Sequence, residues 1–137
     1  MYDRPTLTEL LQAVEYYLEH QVTPAVRQDP RMYFHTLVAQ NLLRIAVREL
    51  NLEEKHLHDE WERLNGIQGV EIPVPAALRD LRTSLARRNQ LLAEEIRIGD
   101  YDEPTPRALL LAHLLATVRE KLEVSHPQFL QITDDLP

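Results

Sequence analysis

Residues 34–50, FHTLVAQNLLRIAVREL, decide the fold class because their apolar side chains recur with the period of an α-helix. At about 100° per residue, these side chains lie along one broad arc, and polar side chains occupy the opposite side. The arc comprises Val38, Leu42, Ile45 and Ala46, and the opposite side comprises Gln40, Arg44, Arg48 and Asn51. The pattern predicts an amphipathic helix from about Arg31 to Leu50 whose arc faces the core.

Two segments that flank this helix also have helical period. The chain preceding it opens with Thr6, followed three residues later by Glu9, which is the spacing of a capping box at a helix start. The chain following it, from about Leu52 to Leu64, has a thinner apolar stripe, and Asn51 can cap it. These segments predict a first and a third helix.

Two longer helices are predicted in the second half of the chain. The fourth spans about Ala76 to Ile98, and the fifth starts with Thr105 as cap and Pro106 at its first position. The fifth continues through RALLLAHLLATVREKL and is apolar almost all round in its first half, which is typical of a central helix. We therefore predict an all-α, single-domain bundle of about five helices over residues 1–137, with 132–137 as a loose tail.

Glycines mark the predicted helix ends. The chain has three glycines, Gly66, Gly69 and Gly99, and each falls where a helical pattern stops. The stretch GIQGVEIPVP, with two glycines and two prolines, predicts an extended connection between the third and fourth helices.

Composition excludes several classes of protein. The 137 residues are 44% hydrophobic and 27% charged, as expected for a chain that closes a globular core. A formal net charge of −7 argues against a nucleic-acid partner, because such binding needs an excess of Lys and Arg. With no cysteine and no long apolar stretch, we expect a cytoplasmic protein without disulfides, zinc-thiolate sites or membrane spans.

Three polar residues lie on faces that the pattern predicts to be buried. His35 and Glu49 lie in the apolar arc of the second helix, about 21 Å apart at 1.5 Å per residue, and Asn89 interrupts the stripe of the fourth. A buried polar group needs a hydrogen bond, so we expect each of the three to have a partner. The preferred interpretation is a bonded core residue. The alternative is that His35 and Asn89 line a small pocket or a groove that faces a partner.

Two further groups could carry chemistry. Glu53, His56 and Glu60 share one side of the third helix with spacing that could hold a metal ion, but a solvated face with charge pairs is the preferred interpretation. His113 could be a base oriented by Glu120, two turns further on, yet no nucleophile with a partner is recognisable, so packing against a neighbouring helix is the preferred interpretation. We therefore predict no catalytic residue, no metal site and no cofactor.

Three stretches resemble a family of small bacterial helical proteins of unknown function: RPTLTELLQAV, FHTLVAQNLLRIAVREL and LLLAHLLATVREKLEVSHPQF. The resemblance covers nearly the whole chain. The recurring motif includes His35, Asn41, Glu49 and His113, whereas Asn89 is not part of it. Members of the family tend to be encoded beside aminoglycoside-phosphotransferase-like kinases and acyl-CoA dehydrogenases. The resemblance implies an accessory role alongside these enzymes, and it implies no established activity.

We therefore expect a non-catalytic accessory or binding subunit that acts with a phosphotransferase-like kinase in acyl-CoA-related metabolism. One alternative is a small enzyme or ligand carrier that uses an enclosed site around His35. Another is a self-associating bundle in which the third and fifth helices form a homodimer. The ligand or partner candidates are His35, Asn41, Glu49, Asn89 and His113.

Overall fold

The computed structural model describes residues 4–134 and is all-α, with no strand among those residues. Its α-helices, in chain order, are α1 (Leu7–Tyr17), α2 (Thr23–Ala25), α3 (Pro30–Gln68), α4 (Leu78–Ile98), α5 (Pro104–Ser125) and α6 (Pro127–Asp134). A π-helical segment, Leu18–Val22, joins α1 to α2. The prediction of an all-α bundle is confirmed, and α6 extends into the predicted tail, whose last three residues lie outside the described part.

The predicted capping box forms at the start of α1. The backbone N–H of Thr6 donates to the Glu9 carboxylate at 2.7 Å, and the backbone N–H of Glu9 donates to the Thr6 hydroxyl at 3.2 Å. The two bonds satisfy amides that have no partner within the helix. The sequence signal at this helix start is therefore confirmed.

The predicted second and third helices are one continuous helix, α3, of 39 residues. Asp29 caps it, because its carboxylate accepts from the backbone N–H groups of Arg31 and Met32. The predicted break at Asn51 is wrong, since an asparagine inside a helix costs only a few tenths of a kcal/mol relative to a good helix former. Gly66 also lies inside α3, and the helix ends before Gly69, whose φ of +64° suits glycine.

The helices of the second half follow the predicted order with shifted starts. Gly99, at φ +93°, ends α4 as expected. Helix α5 begins two residues earlier than predicted, with Glu103 as its cap and Pro104 at its first position. Proline suits a first position because the missing N–H would have no helical partner there. The Pro104 and Pro106 positions both fall in the first turn, so either could start the helix.

The chain divides into two compact units, Met1–Leu52 and Glu53–Pro137. Helix α3 contributes its first part to the first unit and its remainder to the second. A single domain over residues 1–137 stays a prediction.

The second unit contains the hydrophobic core. Its buried hydrophobic residues are Trp61 and Leu64 of α3, Leu81, Leu85 and Leu92 of α4, and Leu110 of α5. Those of α3 and α4 belong to the apolar stripes predicted for the third and fourth helices, whereas Ile96, which the stripe of the fourth helix also includes, is 39% exposed. The connection after α3 is fixed to this core, because its Ile72 carbonyl accepts from the Trp61 indole at 2.7 Å and the Asn65 amide at 3.0 Å.

The first unit is built differently. Among its described residues only Thr36 and Gln40 are buried, and no hydrophobic side chain is. The Gln40 amide donates to the Thr23 hydroxyl at 2.5 Å, which ties α3 to α2. The prediction that the Val38 and Leu42 arc faces the core is wrong, because these side chains are 40% and 60% exposed.

Helix α5 also exposes apolar side chains that were predicted to face the core. It buries Leu110 and His113, while most of its leucines are exposed, with Leu115 at 71%. The prediction of a central helix is therefore wrong for α5. In the described residues, no helix has the length and hydropathy needed to cross a membrane.

Candidate functional site

A polar cluster, formed by Arg63 of α3 with Thr117 and Glu120 of α5, lies on the inner side of α5. The Arg63 guanidinium donates to both carboxylate oxygens of Glu120, at 2.6 and 2.7 Å, and to the Thr117 hydroxyl at 3.3 Å. Two parallel bonds of this kind fix both the distance and the orientation of a guanidinium and a carboxylate. The cluster therefore sets how α5 packs on α3. Sequence reasoning missed Arg63 because it lies beside, not within, the apolar stripe of Trp61 and Leu64.

His113 lies one turn before Thr117 on the same side of α5 and is 3% exposed. Burial, and secondarily the positive charge of Arg63, hold the pKa of His113 below its usual value, while Glu60 and Glu120 act in the opposite direction. Its Nδ1 is buried and has no hydrogen-bond partner. The expectation that His113 packs against neighbouring helices is in keeping with this placement. Glu120, which could have oriented His113 as a base, binds Arg63 instead.

The three residues with metal-ligand spacing on α3 bond to three different partners. Glu53 binds the Arg82 guanidinium of α4, the His56 ring lies 3.0 Å from the Glu123 carboxylate of α5, and Glu60 accepts from Asn89. Within residues 4–131, whose side chains are described, no group of three or more His, Cys, Asp or Glu residues could hold a metal ion. The side chains of Glu53 and His56 are 22% and 13% exposed. The prediction of a solvated face is therefore wrong, because these groups join α3 to its neighbours.

Asn89 is half-buried and donates from its side-chain amide to the Glu60 carboxylate at 2.7 Å. The expected hydrogen bond is therefore present. Glu60 also acts on His113, so Asn89 and His113 share one charged neighbour. They are the only two predicted candidates that fall in this unit.

Arg88, one residue before Asn89, is the more deeply buried polar residue of α4, at 7% exposure. Its guanidinium lies 4.5 Å from the centre of the Trp61 ring and donates to Gln68 at 2.7 Å. Such a cation–π contact stabilises a guanidinium that burial has stripped of water. The sequence carried a signal for it, because Arg88 lies three residues after Leu85 and four before Leu92, on the buried stripe.

The remaining candidates, His35, Asn41 and Glu49, are all exposed on the first part of α3. The His35 ring contacts the Phe34 ring edge to face, with 5.8 Å between ring centres. The expectation that His35 and Glu49 are enclosed is wrong, because the face that carries them points away from the buried Thr36 and Gln40. The described residues form no enclosed site around His35, which is exposed.

A cleft of about 650 Å³ lies where α3 ends, beside Asn65 and the Ile72 backbone. Its charged lining residues, Glu62 and Glu71, are both acidic and exposed. Asn65 uses its amide nitrogen on the Ile72 carbonyl, and its Oδ1 is buried without a partner. These groups hold the connection in place and bring no nucleophile or cation into the cleft.

An apolar groove of about 460 Å³ runs between α5 and α6. Leu115, Val118 and Leu122 line it from α5, and Phe129 and Leu130 line it from α6. Leu115 is 71% exposed, Val118 54% and Phe129 47%. Contiguous apolar surface of this kind marks sites that bind other molecules.

The two kinds of site have different chemical abilities. The Arg63 cluster is half-buried and joins α5 to α3, and His113 is buried beside it without a hydrogen-bond partner for its Nδ1. The groove between α5 and α6 is mainly apolar, with Arg119 as its charged lining residue, so it suits a largely apolar partner surface.

Residues 24–129 match the family described as a domain of unknown function, DUF6285, and the chain belongs to that family. The expected membership of an uncharacterised domain family is thereby confirmed. No curated protein and no solved structure matches the chain.

Proposed function

We propose that this member of the DUF6285 family is a non-catalytic binding subunit that acts with an aminoglycoside-phosphotransferase-like kinase in acyl-CoA-related metabolism. The proposal takes the class of partner from the family resemblance and the mode of binding from the groove between α5 and α6. The observation that carries it is the outward apolar face of α5, on which Leu115 is 71% exposed.

The geometry of α5 supports this mode of binding. Its inner side carries the polar residues His113, Thr117 and Glu120 together with the buried Leu110, and its outer side carries exposed leucines such as Leu115. The inner bonds hold the helix in place without using its apolar area, so that area stays available to a partner. A groove between two helices accepts an amphipathic helix that inserts apolar side chains at intervals of three and four residues.

The test measures binding between this protein and a purified aminoglycoside-phosphotransferase-like kinase by isothermal titration calorimetry. We expect a complex, and we expect Leu115→Asp to weaken it by at least about tenfold, because a charge would be buried in the apolar contact. Leu91→Asp is the matched control, since Leu91 is a 47% exposed leucine on α4. It should bind as the unchanged protein does.

Two results would overturn the proposal. The absence of any complex at about 100 µM, where even modest interfaces are populated, would remove the kinase as partner. A complex that is equally weakened by Leu115→Asp and Leu91→Asp, or by neither, would remove the groove as its site. Phosphoryl transfer by the protein alone would contradict the non-catalytic role.

A further inference from the structure

The first part of α3 has two opposite faces that differ in kind. The inner face carries the buried Thr36 and Gln40, and Leu43 and Val47 are half-buried on the same side. The outer face is rotated by about half a turn, at 100° per residue. Its side chains, in chain order, are Arg31, Phe34, His35, Val38, Leu42, Ile45 and Glu49.

The outer face exposes large apolar side chains. Phe34 is 62% exposed, Leu42 60% and Val38 40%, while Ile45 is half-buried. A side chain of this size that stays exposed contributes little of its hydrophobic stabilisation. Because the described residues of the first unit bury no hydrophobic side chain, this face needs a cover from another molecule.

The charges at the two ends of the outer face indicate which molecule packs on it. Arg31 and His35 lie at the N-terminal end and Glu49 lies at the C-terminal end, and all three are exposed. His35 and Glu49 are 14 positions apart, about 21 Å along the helix. Leu42 lies midway between them.

A face with a basic end, an apolar middle and an acidic end is complementary to itself only when the second helix runs in the opposite direction. In that arrangement His35 of one copy faces Glu49 of the other, and Val38 faces Ala46. Leu42 faces Leu42 across the axis. A parallel arrangement would place like charges together at both ends, which is unfavourable.

We propose that two copies of this chain form an antiparallel homodimer through the outer face of α3, with the two-fold axis at Leu42. The interface is isologous, since the same residues serve both copies. It does not involve the groove between α5 and α6, so it does not depend on the function proposed above. It also differs from the dimer of third and fifth helices that the sequence suggested.

The first test is the mass of the protein in solution, by sedimentation equilibrium. The chain has a mass of 16.0 kDa, so a dimer doubles that value. We expect a dimer. Leu42→Asp should raise the dissociation constant of this dimer at least about tenfold, because the substitution places two negative charges against each other at the axis. Leu115→Asp is the control and should stay dimeric. A protein that remains a monomer at about 100 µM would overturn the proposal.

The second test uses charge reversal to establish the direction of pairing. His35→Glu should weaken the dimer because it places two carboxylates together across the interface, and Glu49→Lys should weaken it because it removes the carboxylate that His35 faces. The double variant should restore it. In a parallel dimer position 35 faces position 35, so the double variant would keep the like-charge contact of His35→Glu and would not be restored, and that result would overturn the antiparallel arrangement.

The third test stays informative if a charge variant folds poorly. The chain contains no cysteine, so a single introduced thiol reports one position. Under mild oxidation Leu42→Cys should form a disulfide-linked dimer. His35→Cys and Glu49→Cys should cross-link with each other when mixed, and neither should cross-link with itself, since a disulfide needs Cα atoms within about 7 Å. Self-cross-linking at position 35 or 49 would contradict the register.

Discussion

The two compact units of this chain differ in the hydrophobic side chains that they bury. The second unit buries six, including Trp61 and Leu64, together with polar residues such as Arg88 and His113. Among the described residues of the first unit only Thr36 and Gln40 are buried, and the apolar side chains of α1 and of the first part of α3 are half-buried or exposed. Burial of apolar area is the main source of folding free energy. The second unit therefore has its own source of stability, whereas the first unit depends on what covers its surface.

The comparison also separates two uses of an apolar residue. Leu64, at 0% exposure, stabilises the fold directly. Leu42, at 60% exposure, stabilises the protein only when another surface covers it. Binding that occurs in the folded state alone adds stability in proportion to the logarithm of the partner concentration. The two leucines should therefore respond differently to dilution.

The largest expected difference in unfolding free energy is between the Leu64→Ala and Leu42→Ala variants. Leu64→Ala should lower the free energy of unfolding by about 3–5 kcal/mol, because it leaves a cavity in a closed core. Leu42→Ala should cost less than about 0.5 kcal/mol at a concentration where the protein is monomeric, as surface substitutions do. Urea denaturation of both variants at low protein concentration measures the difference. Equal losses for the two variants would show that the units do not differ in this way.

The next largest expected effect is the difference in stability lost when one ion pair is removed from each unit. Glu120→Gln should cost about 1–3 kcal/mol, because it removes the charge that two nitrogens of the half-buried Arg63 guanidinium bind. Glu15→Gln, in the first unit, should cost less than about 1 kcal/mol. Its partner Arg44 is 45% exposed and keeps Glu19 at 3.2 Å. Thermal unfolding of the two variants in the same buffer provides the comparison, and a larger loss for Glu15→Gln would contradict it.

Helix ends were predicted well from sequence where one residue determines the backbone. Thr6 with Glu9, and Gly99 at φ +93°, are such cases, because the side chain or its absence acts locally. Asn51 was misread as a cap because capping requires a break in the helix, and nothing nearby breaks it. A residue that can cap a helix does not by itself end the preceding one.

The orientation of α3 and α5 could not be predicted in the same way. A helical wheel assumes that the apolar side faces the core of the same chain. In both helices the inner side instead carries polar groups with specific partners, such as Gln40 with Thr23 and Glu120 with Arg63. These partners lie 17 and 57 residues away in the chain, so no local pattern could show them. The sequence placed Asn89 on a buried face and gave it the hydrogen bond that it has, and it misplaced His35 and Glu49 because it took the wrong side of α3 as the buried one.

The smallest effect concerns the pH dependence of stability in the second unit. Burial in the first place, then the Arg63 charge, lower the pKa of His113 below 6.5, its value in an unfolded chain. Above that pH the ring is neutral in both states. As the pH falls below it, the unfolded chain binds a proton that the folded chain resists, so the free energy of unfolding decreases until the pH reaches the folded pKa.

His113→Gln removes this titration and keeps a polar side chain of similar length beside Arg63, Glu60 and Glu120. We expect the variant to be less stable than the unchanged protein at about pH 7.5 and to lose less stability on going to about pH 5.5, because its folded and unfolded states no longer differ in proton binding at this position. Urea denaturation at several pH values and one ionic strength measures both slopes. Parallel slopes would mean that the buried His113 takes up its proton as readily as the unfolded chain does, and that the enclosure of its Nδ1 has no electrostatic consequence.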